Sequence, residues 1–290
     1  MKIYQIKAHA KINLGLDVTG KRQDGYHLVK MVMQAIDLCD LVTLEKTGEG
    51  ITLTCDSKEI PLGEDNLAFR AAMLMRKEYH IPLGVHIHLE KKIPMAAGLA
   101  GGSTDAAAVI KGICRLFDLD IPLARLMELG LQLGADIPFC LVGGTTLAEG
   151  IGEKITPLAP LPHCHILLAK PEAGVSTKYV YEHLDAQVLQ KHPDIDGMAA
   201  ALCQSSLQGV LDRLENVLET VTIPALPVID ALKARMLSLG AAGSLMSGSG
   251  PTVFGIFPAG QEAQARAALE QLTREGQARQ VFLTRPTGPF

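Results

Sequence analysis

A run of small residues at positions 94–108, PMAAGLAGGSTDAAA, has the clearest capacity for chemistry. Inside ordered structure each glycine costs roughly 0.5–1 kcal/mol relative to alanine, so the cluster indicates that the backbone approaches something closely. The run follows a predicted strand and opens a predicted helix, whose first N–H groups lack internal partners and carry positive potential. With the hydroxyls of Ser103 and Thr104, these groups predict a polyphosphate cradle. A tight packing turn is the alternative that the residues leave open.

Three polar side chains in apolar surroundings form a second set of candidates. Lys11 and Asn13 share one face of an alternating strand, AKINLGLDV, and Asp136 follows a helix end in GADIPFC. Taken singly, the first two could be an exposed strand face and the third a capping or turn carboxylate. Together, a cation, an amide and a carboxylate could orient an alcohol, accept its proton and neutralise charge on a transferred phosphoryl group.

Two glycine patterns imitate nucleotide-binding motifs without their context. Residues 15–22, GLDVTGKR, nearly match a P-loop, but Arg22 replaces the magnesium-binding hydroxyl and the segment runs into a turn. GSGPTV at 248–253 lacks the third glycine of a dinucleotide-binding turn, although its N–H groups could still face an anion. We predict plain turns at both.

The pairs HIH (86–88) and HCH (163–165) each place two histidines on one face of a strand. They lack further metal ligands and predict solvated strand faces.

The remaining pattern predicts the scaffold. VHIHLE, HILLAK and QVFLTRP alternate as strands do, and TDAAAVIKGICRLF, LPVIDALKARMLSLG and GQEAQARAALEQLTREG have helical periodicity. Strands and helices mix without a regular βαβ rhythm, which predicts an α+β fold. The three prolines in KITPLAPLPHC predict a boundary between domains of residues 1–156 and 157–290.

Two local expectations concern the ends of helices near the candidate site. Ser103, Thr104 or Asp105 is expected to cap the helix that follows the glycine run. Pro138 is expected to hold Ile137 in extended geometry, because the residue before a proline is biased away from the helical region.

Composition narrows the class of protein. The 290 residues are 48% hydrophobic, which suits a compact fold, and the net charge of −4 gives no field for holding nucleic acid or anionic lipid. No uncharged apolar run is long enough to span a bilayer, and the N-terminus lacks a signal-peptide core. The six cysteines form no CxxC pair, so buried, reduced thiols and a cytoplasmic location are expected. Monomer and homodimer both stay open.

Five segments in this order make the sequence resemble the GHMP kinases: AKINLGLDV, DGYH, PMAAGLAGGSTDAAA, LGADIPFC and MSGSGPTVFG. The pair AKINLGL and DGYH favours the branch whose substrate is a cytidine-diphosphate-linked methylerythritol. The resemblance implies a two-domain α+β fold with a ferredoxin-like second domain and the active site between the domains. It implies transfer of the ATP γ-phosphoryl group to the 2-hydroxyl of that substrate, with Mg²⁺, in the non-mevalonate route to isoprenoid precursors.

The resemblance also implies roles for individual residues. Asp136 matches the catalytic base, Lys11 the lysine that orients this base or steadies the transferred group, and Asn13 a substrate-binding asparagine. The matches to the ATP phosphate loop are Pro94, Met95, Ala96, Ala97, Gly98, Leu99, Ala100, Gly101, Gly102, Ser103 and Thr104. Family loops often read GLGGGSS, but the replacements at positions 100 and 104 are small, so an intact cradle is expected. No acidic loop residue marks a magnesium ligand, and none is assigned.

The cytidine and third-motif positions complete the implied site. Tyr26 matches a ring that stacks on the cytosine, His27 a contact to the base edge, and Tyr181 a second stacking ring. A third motif that closes on the phosphates matches Gly248, Ser249 and Gly250. Two other readings stay open: a GHMP kinase for a different small alcohol, and a nucleotide-binding module without catalysis. The presence of both Lys11 and Asp136 speaks against the second.

Overall fold

Eleven strands, ten α-helices and one short 3-10 helix (Ala259–Gln261) are present in the part of the chain that the computed structural model describes, residues 2–184, 189 and 191–289. The strands are β1 (Ile3–Lys21), β2 (His27–Thr47), β3 (Ile51–Cys55), β4 (Gly84–Glu90), β5 (Thr145–Gly150), β6 (Lys154–Pro157), β7 (Cys164–Lys170), β8 (Glu215–Asn216), β9 (Gly243–Met246), β10 (Val253–Pro258) and β11 (Gln280–Thr284). The helices are α1 (Leu67–Glu78), α2 (Gly101–Leu116), α3 (Leu123–Leu131), α4 (Ile137–Val142), α5 (Thr177–His183), α6 (Ile195–Cys203), α7 (Leu207–Leu211), α8 (Glu219–Ala225), α9 (Val228–Ser238) and α10 (Glu262–Glu275).

The strands form two sheets, which confirms the α+β fold. The larger has the order β3-β4-β2-β1-β8, with β5 pairing residues 29–34 of β2 and β6 pairing β5. The smaller is antiparallel, in the order β11-β7-β10-β9. Every strand up to β6 lies in the larger sheet, but β8 from the later part of the chain also joins it, beside β1. The domain boundary between residues 156 and 157 stays a prediction.

Strand β1 is buried on both faces. One face carries apolar side chains and the other carries polar ones. Its alternating apolar side chains Ala10, Ile12 and Leu14 are fully buried and pack in one cluster with Ile166 of β7 and Phe254 of β10. This face therefore joins the larger sheet to the smaller one. The opposite face presents Lys11 and Asn13, which are also buried, so an exposed polar strand face is the wrong reading of these two residues.

Helix α2 packs closely on the larger sheet because the side chains on its inward face are small. An added Cβ at Gly112 would lie 2.0 Å from the Leu44 side chain of β2. Residues Ala106, Ala107 and Ala108 of the same helix are also buried. Protein interiors are packed at near-crystalline density, so this close approach fixes where the amino end of the helix points.

Both expectations about helix ends are wrong. Helix α2 begins at Gly101 with Ala100 in the N-cap position, and no described side chain caps it. The hydroxyl of Thr104 instead donates to the His9 carbonyl, 2.8 Å away. Ile137 is the first residue of α4, where Pro138 occupies an early position whose N–H would have no helical partner. The local bias before proline is overridden there.

All six cysteines are free, but they are not uniformly buried. Cys140 and Cys164 are buried, whereas Cys203 is exposed, so the expectation of buried thiols is wrong for Cys203. Among the helices in the described ranges, none has both the length and the apolar character needed to cross a membrane.

Candidate active site

A cavity of about 810 Å³ brings most of the sequence-predicted site residues together. The predicted residues that line it are Lys11, Asn13, Tyr26, His27, Pro94, Met95, Ala96, Ala97, Gly98, Ala100, Gly101, Gly102, Ser103, Asp136, Tyr181, Gly248 and Ser249. Leu99, Thr104 and Gly250 do not line it, and the first two are buried. The walls therefore come from segments that are up to 238 positions apart, from Lys11 to Ser249.

The glycine-rich loop forms a strained floor at the start of α2. Ala96, Gly98 and Ala100 all have left-handed backbone, with φ of 47°, 72° and 59°. For alanine this conformation costs roughly 1–2 kcal/mol, and such strain persists only where the surrounding structure imposes it. The loop leads directly into Gly101 of α2, whose first N–H groups have no intrahelical partner and line the cavity. This is a site for an anion.

Hydrogen bonds from two sides hold the loop in place. The backbone N–H of Lys11 donates to the Leu99 carbonyl (3.2 Å), and the Ser247 hydroxyl donates to the Gly98 carbonyl (3.0 Å). The Leu99 side chain is turned into the core, which explains why it does not line the cavity. The loop is thus tied to β1 and to the turn between β9 and β10.

That turn carries the third motif and closes one side of the cavity. The Asn216 amide of β8 donates to the carbonyls of Met246 (2.9 Å) and Gly248 (2.8 Å) and fixes the start of the turn. An added Cβ at Gly248 would lie 3.4 Å from both Lys11 Nζ and Asn13 Oδ1. The third motif therefore packs directly beside the polar face of β1.

Lys11, Asn13 and Asp136 converge as the sequence predicts. Lys11 Nζ donates to Asn13 Oδ1 at 2.8 Å and lies 4.0 Å from Asp136 Oδ2. The Lys11 side chain is 6% exposed, whereas that of Asp136 is 35% exposed and opens into the cavity. An accessible carboxylate beside a buried ammonium can accept a proton from a bound hydroxyl, and the ammonium can steady developing negative charge.

The three predicted aromatic residues lie at another wall. The rings of His27 and Tyr181 are in contact, with centroids 5.3 Å apart, while Tyr26 is 60% exposed at the rim. Burial, with a smaller effect of Lys21, lowers the pKa of His27, which favours the neutral ring. Burial and the charge of Asp136 raise the pKa of Tyr181, so its hydroxyl keeps its proton. The contact between Tyr181 and His27 is not anticipated from the sequence.

Sequence reasoning missed a buried charged group beneath the loop. Lys91 Nζ contacts Asp40 of β2 and lies 2.5 Å from Asp105 Oδ2 of α2. Both Lys91 and Asp105 line the cavity. Burial would lower the pKa of Lys91, but the two carboxylates raise it. The only signal in the sequence was Asp105 itself, a carboxylate among alanines; its partners come from other elements.

The histidine pairs of the sequence do not form a metal site among the described residues. Within the described ranges, no three His, Cys, Asp or Glu side chains cluster as a metal site. His86 and His88 each contact a threonine hydroxyl of β3, at 2.8 and 2.9 Å. Residues 15–21 are the last part of β1 and the turn begins only at Arg22, so the segment runs from a strand into a turn as predicted but is itself mostly strand.

Comparison with known proteins identifies the family to which this site belongs. Family models of the GHMP kinases N terminal domain and the GHMP kinases C terminal match residues 66–144 and 189–277. A 4-diphosphocytidyl-2-C-methyl-D-erythritol kinase from Lachnospira eligens is 50% identical over 291 residues, covering 100% of both chains. A crystal structure of 4-(cytidine 5'-diphospho)-2C-methyl-D-erythritol kinase is 34% identical with a TM-score of 0.84, covering 98% of this chain and 100% of that one.

A solved structure with much lower sequence identity has a similar fold. Homoserine kinase from Cytophaga hutchinsonii superposes with a TM-score of 0.79 at 19% identity, covering 100% of this chain and 96% of that chain. This likeness concerns the fold alone.

The position of Gly98 predicts a stability test of the loop. A Cβ there would lie 2.2 Å from the Ser247 carbonyl oxygen, and φ is +72°. We expect Gly98→Ala to lower the free energy of unfolding by roughly 2 kcal/mol or more, since overpacking and left-handed strain add. Chemical denaturation measures this, with Gly63→Ala as control because a Cβ there meets nothing within 4 Å. Equal stability of both variants would contradict the close approach.

Proposed function

The chain belongs to the GHMP kinases, and we propose that it transfers the γ-phosphoryl group of ATP to the 2-hydroxyl of 4-diphosphocytidyl-2-C-methyl-D-erythritol. This would be a step in the non-mevalonate route to isoprenoid precursors. The substrate follows from a relative of that name that is 50% identical to this chain over its whole length. The observation that supports the chemistry is the 4.0 Å pair of Lys11 Nζ and Asp136 Oδ2 in a cavity floored by the amino end of α2.

ATP would place its phosphates against the start of α2. The N–H groups of Gly101, Gly102 and Ser103 and the positive end of the helix dipole favour negative charge there. Small residues in the loop keep side chains out of this space, so the backbone can contact phosphate oxygens. The third-motif residues Gly248 and Ser249 would close on the same phosphates from the other side.

Asp136 would act as the base and Lys11 as its electrostatic partner. The substrate hydroxyl passes its proton to the Asp136 carboxylate, and its oxygen forms a bond to the γ-phosphorus. The bond from that phosphorus to the bridging oxygen breaks, and ADP leaves with the electron pair. Lys11 attracts charge on both the carboxylate and the moving phosphoryl group. Asn13, which accepts a hydrogen bond from Lys11, would hold this ammonium and contact the substrate.

Mg²⁺ would enter as part of the nucleotide complex. This ion usually keeps several waters and binds through one or two carboxylates plus substrate phosphates. The Asp136 carboxylate opens into the cavity, which is compatible with an ion held mainly by phosphate oxygens and water. When bound, Mg²⁺ supplies neutralising charge to the phosphates; we assign it no protein ligand.

The cytidine diphosphate group would occupy the wall formed by Tyr26, His27 and Tyr181. Stacking on aromatic rings gives binding energy far from the reacting hydroxyl, which can be used for orientation. A neutral His27 offers one donor and one acceptor to the base edge, which can select cytosine where stacking cannot. We further propose a cytoplasmic enzyme, monomeric or homodimeric, that needs no nucleic-acid or membrane partner.

The substrate assignment is tested by an alcohol panel. Purified protein, ATP and magnesium are mixed with several small alcohols, including homoserine, mevalonate and 4-diphosphocytidyl-2-C-methyl-D-erythritol, and ADP release is measured. We expect kcat/KM to be highest for the cytidyl compound by at least about 10²-fold, because only it fills the aromatic wall. Preference for another alcohol would reject the assignment while leaving the kinase family intact.

The role of Asp136 is tested by Asp136→Asn, which keeps the shape of the side chain. Turnover should fall by roughly 10²–10⁴, the usual range for a positioned acid–base group, while nucleotide affinity is preserved. Steady-state kinetics and a nucleotide titration separate the two effects. Asp118→Asn is the matched control, since Asp118 is 72% exposed and pairs with Lys2. Near-normal turnover in Asp136→Asn would remove it as the base.

The stacking role of Tyr26 is tested by Tyr26→Ala. Loss of about 1–3 kcal/mol of stacking predicts an increase in KM for the cytidyl substrate of roughly 5- to 150-fold. KM for ATP should change little, because the phosphates are proposed to bind at the start of α2 and the exposed Tyr26 ring is proposed to contact only the cytosine. Tyr179→Ala is the control, since Tyr179 is exposed and lies outside the cavity lining. A similar increase in both KM values would indicate a structural role for Tyr26.

A further inference from the structure

The buried group formed by Asp40, Lys91 and Asp105, here called the Lys91 cluster, is not used by the mechanism above. It lies beneath the first turn of α2 and joins three elements: β2, the segment after β4, and α2 itself. All three side chains are almost fully buried, with exposures of 0% for Asp40, 8% for Lys91 and 4% for Asp105. Two carboxylates therefore share one ammonium in a region from which water is largely excluded.

The two carboxylates are not equivalent. Asp40 Oδ1 accepts hydrogen bonds from the backbone N–H groups of Lys92 (2.6 Å) and Ile93 (2.8 Å), and Oδ2 contacts Lys91. Asp105 accepts only from Lys91, through Oδ2, and its Oδ1 has no hydrogen-bond partner among the described residues. A buried carboxylate oxygen without a donor is costly, and the cost is removed when the group binds a proton.

The position of the cluster relates it to the phosphate site. An added Cβ at Gly101 would lie 3.7 Å from Lys91 Nζ, so the ammonium is directly under the first residue of α2. Asp105 is one helical turn further along and also lines the cavity. With both carboxylates ionised the cluster has a net charge of −1, and a polyphosphate at the start of α2 would face that charge at short range.

We propose that Asp105 takes up a proton when the phosphates of ATP bind at the start of α2, so that nucleotide binding and protonation of Asp105 are one linked event. The proposal rests on the ATP site proposed above. When negative charge is added beside two neighbouring acids, it disfavours the ionised form of the acid that is less well solvated. Asp105 is that group, because Asp40 has hydrogen-bond donors on both oxygens.

The surrounding charges agree with this direction. Burial, with a smaller contribution from Asp40, raises the pKa of Asp105 to about 7, even though Lys91 opposes the change. Other ionisable groups that line the same cavity from elements packed around α2 are Lys11 and Lys21 of β1, His27 of β2, Asp65 before α1 and Asp136 before α4. Lys11 and Asp136 offset each other as a pair. Further negative charge from phosphates therefore shifts Asp105 towards its protonated form.

Proton counting by calorimetry tests the proposal. A non-hydrolysable ATP analogue is titrated into the full-length protein at pH 8, without the alcohol substrate, in two buffers of different ionisation enthalpy. Subtracting the result for Asp105→Asn cancels the titration of the nucleotide itself. We expect the unmodified protein to take up close to one proton more than Asp105→Asn. Asp118→Asn, whose carboxylate is exposed, should match the unmodified protein.

The pH dependence of affinity gives a second measurement. If only the protonated form binds well, the apparent Kd of the unmodified protein should weaken roughly tenfold between pH 7 and pH 8.5, relative to Asp105→Asn. The affinity of Asp105→Asn should at least equal that of the unmodified protein at pH 8.5. Parallel pH profiles, or equal proton counts, would overturn the proposal.

Infrared spectroscopy tests the unmodified protein directly, which covers the case in which Asp105→Asn does not fold. With aspartate labelled at its carboxyl carbon, a difference spectrum on adding the analogue at pH 8 should gain a protonated carboxyl band. Analogue binding without that band would refute the protonation but leave the ATP site standing. Absence of analogue binding would refute both proposals.

Discussion

The site depends on keeping the amino end of α2 free of any cap. Most helices satisfy their first N–H groups with a side chain at the N-cap, but here Ala100 has none to offer. The neighbouring hydroxyl of Thr104 is turned away to the His9 carbonyl, and Asp105 is held by Lys91. Two of the three candidate capping groups, Thr104 and Asp105, are therefore engaged elsewhere, and the donors remain for a ligand.

The strained loop and β1 together maintain this arrangement. Left-handed alanines at 96 and 100 would relax if the loop were free, but backbone bonding to Lys11 on one side and contact with Ser247 on the other prevent it. Strand β1 can serve as the anchor because its other face is fixed between the two sheets by Ile12 and Leu14. The same strand thus carries the catalytic lysine of the proposed mechanism and positions the loop that would hold the phosphates.

Local patterns in the sequence predict the parts of this site that depend on neighbours along the chain. The strand alternation places Lys11 and Asn13 on one face, and the glycine run predicts a backbone-lined floor before a helix. The sequence does not reveal pairings across elements: Lys91 and Asp40 are 51 positions apart, and the contact of Tyr181 with His27 also joins distant segments. The helix-end predictions at Ser103 and Ile137 fail for a related reason, since tertiary contacts decide which local preference is satisfied.

The contact between Gly98 and Ser247 limits how this protein can evolve. The two residues are 149 positions apart, yet their backbones are so close that a side chain at position 98 would overlap the carbonyl of residue 247. A substitution that moves the backbone of one segment must be matched by a compensating substitution in the other. Recombination that exchanges the front half of the gene for that of a distant homologue would separate co-adapted surfaces, so such hybrids should be viable only when both segments are inherited together.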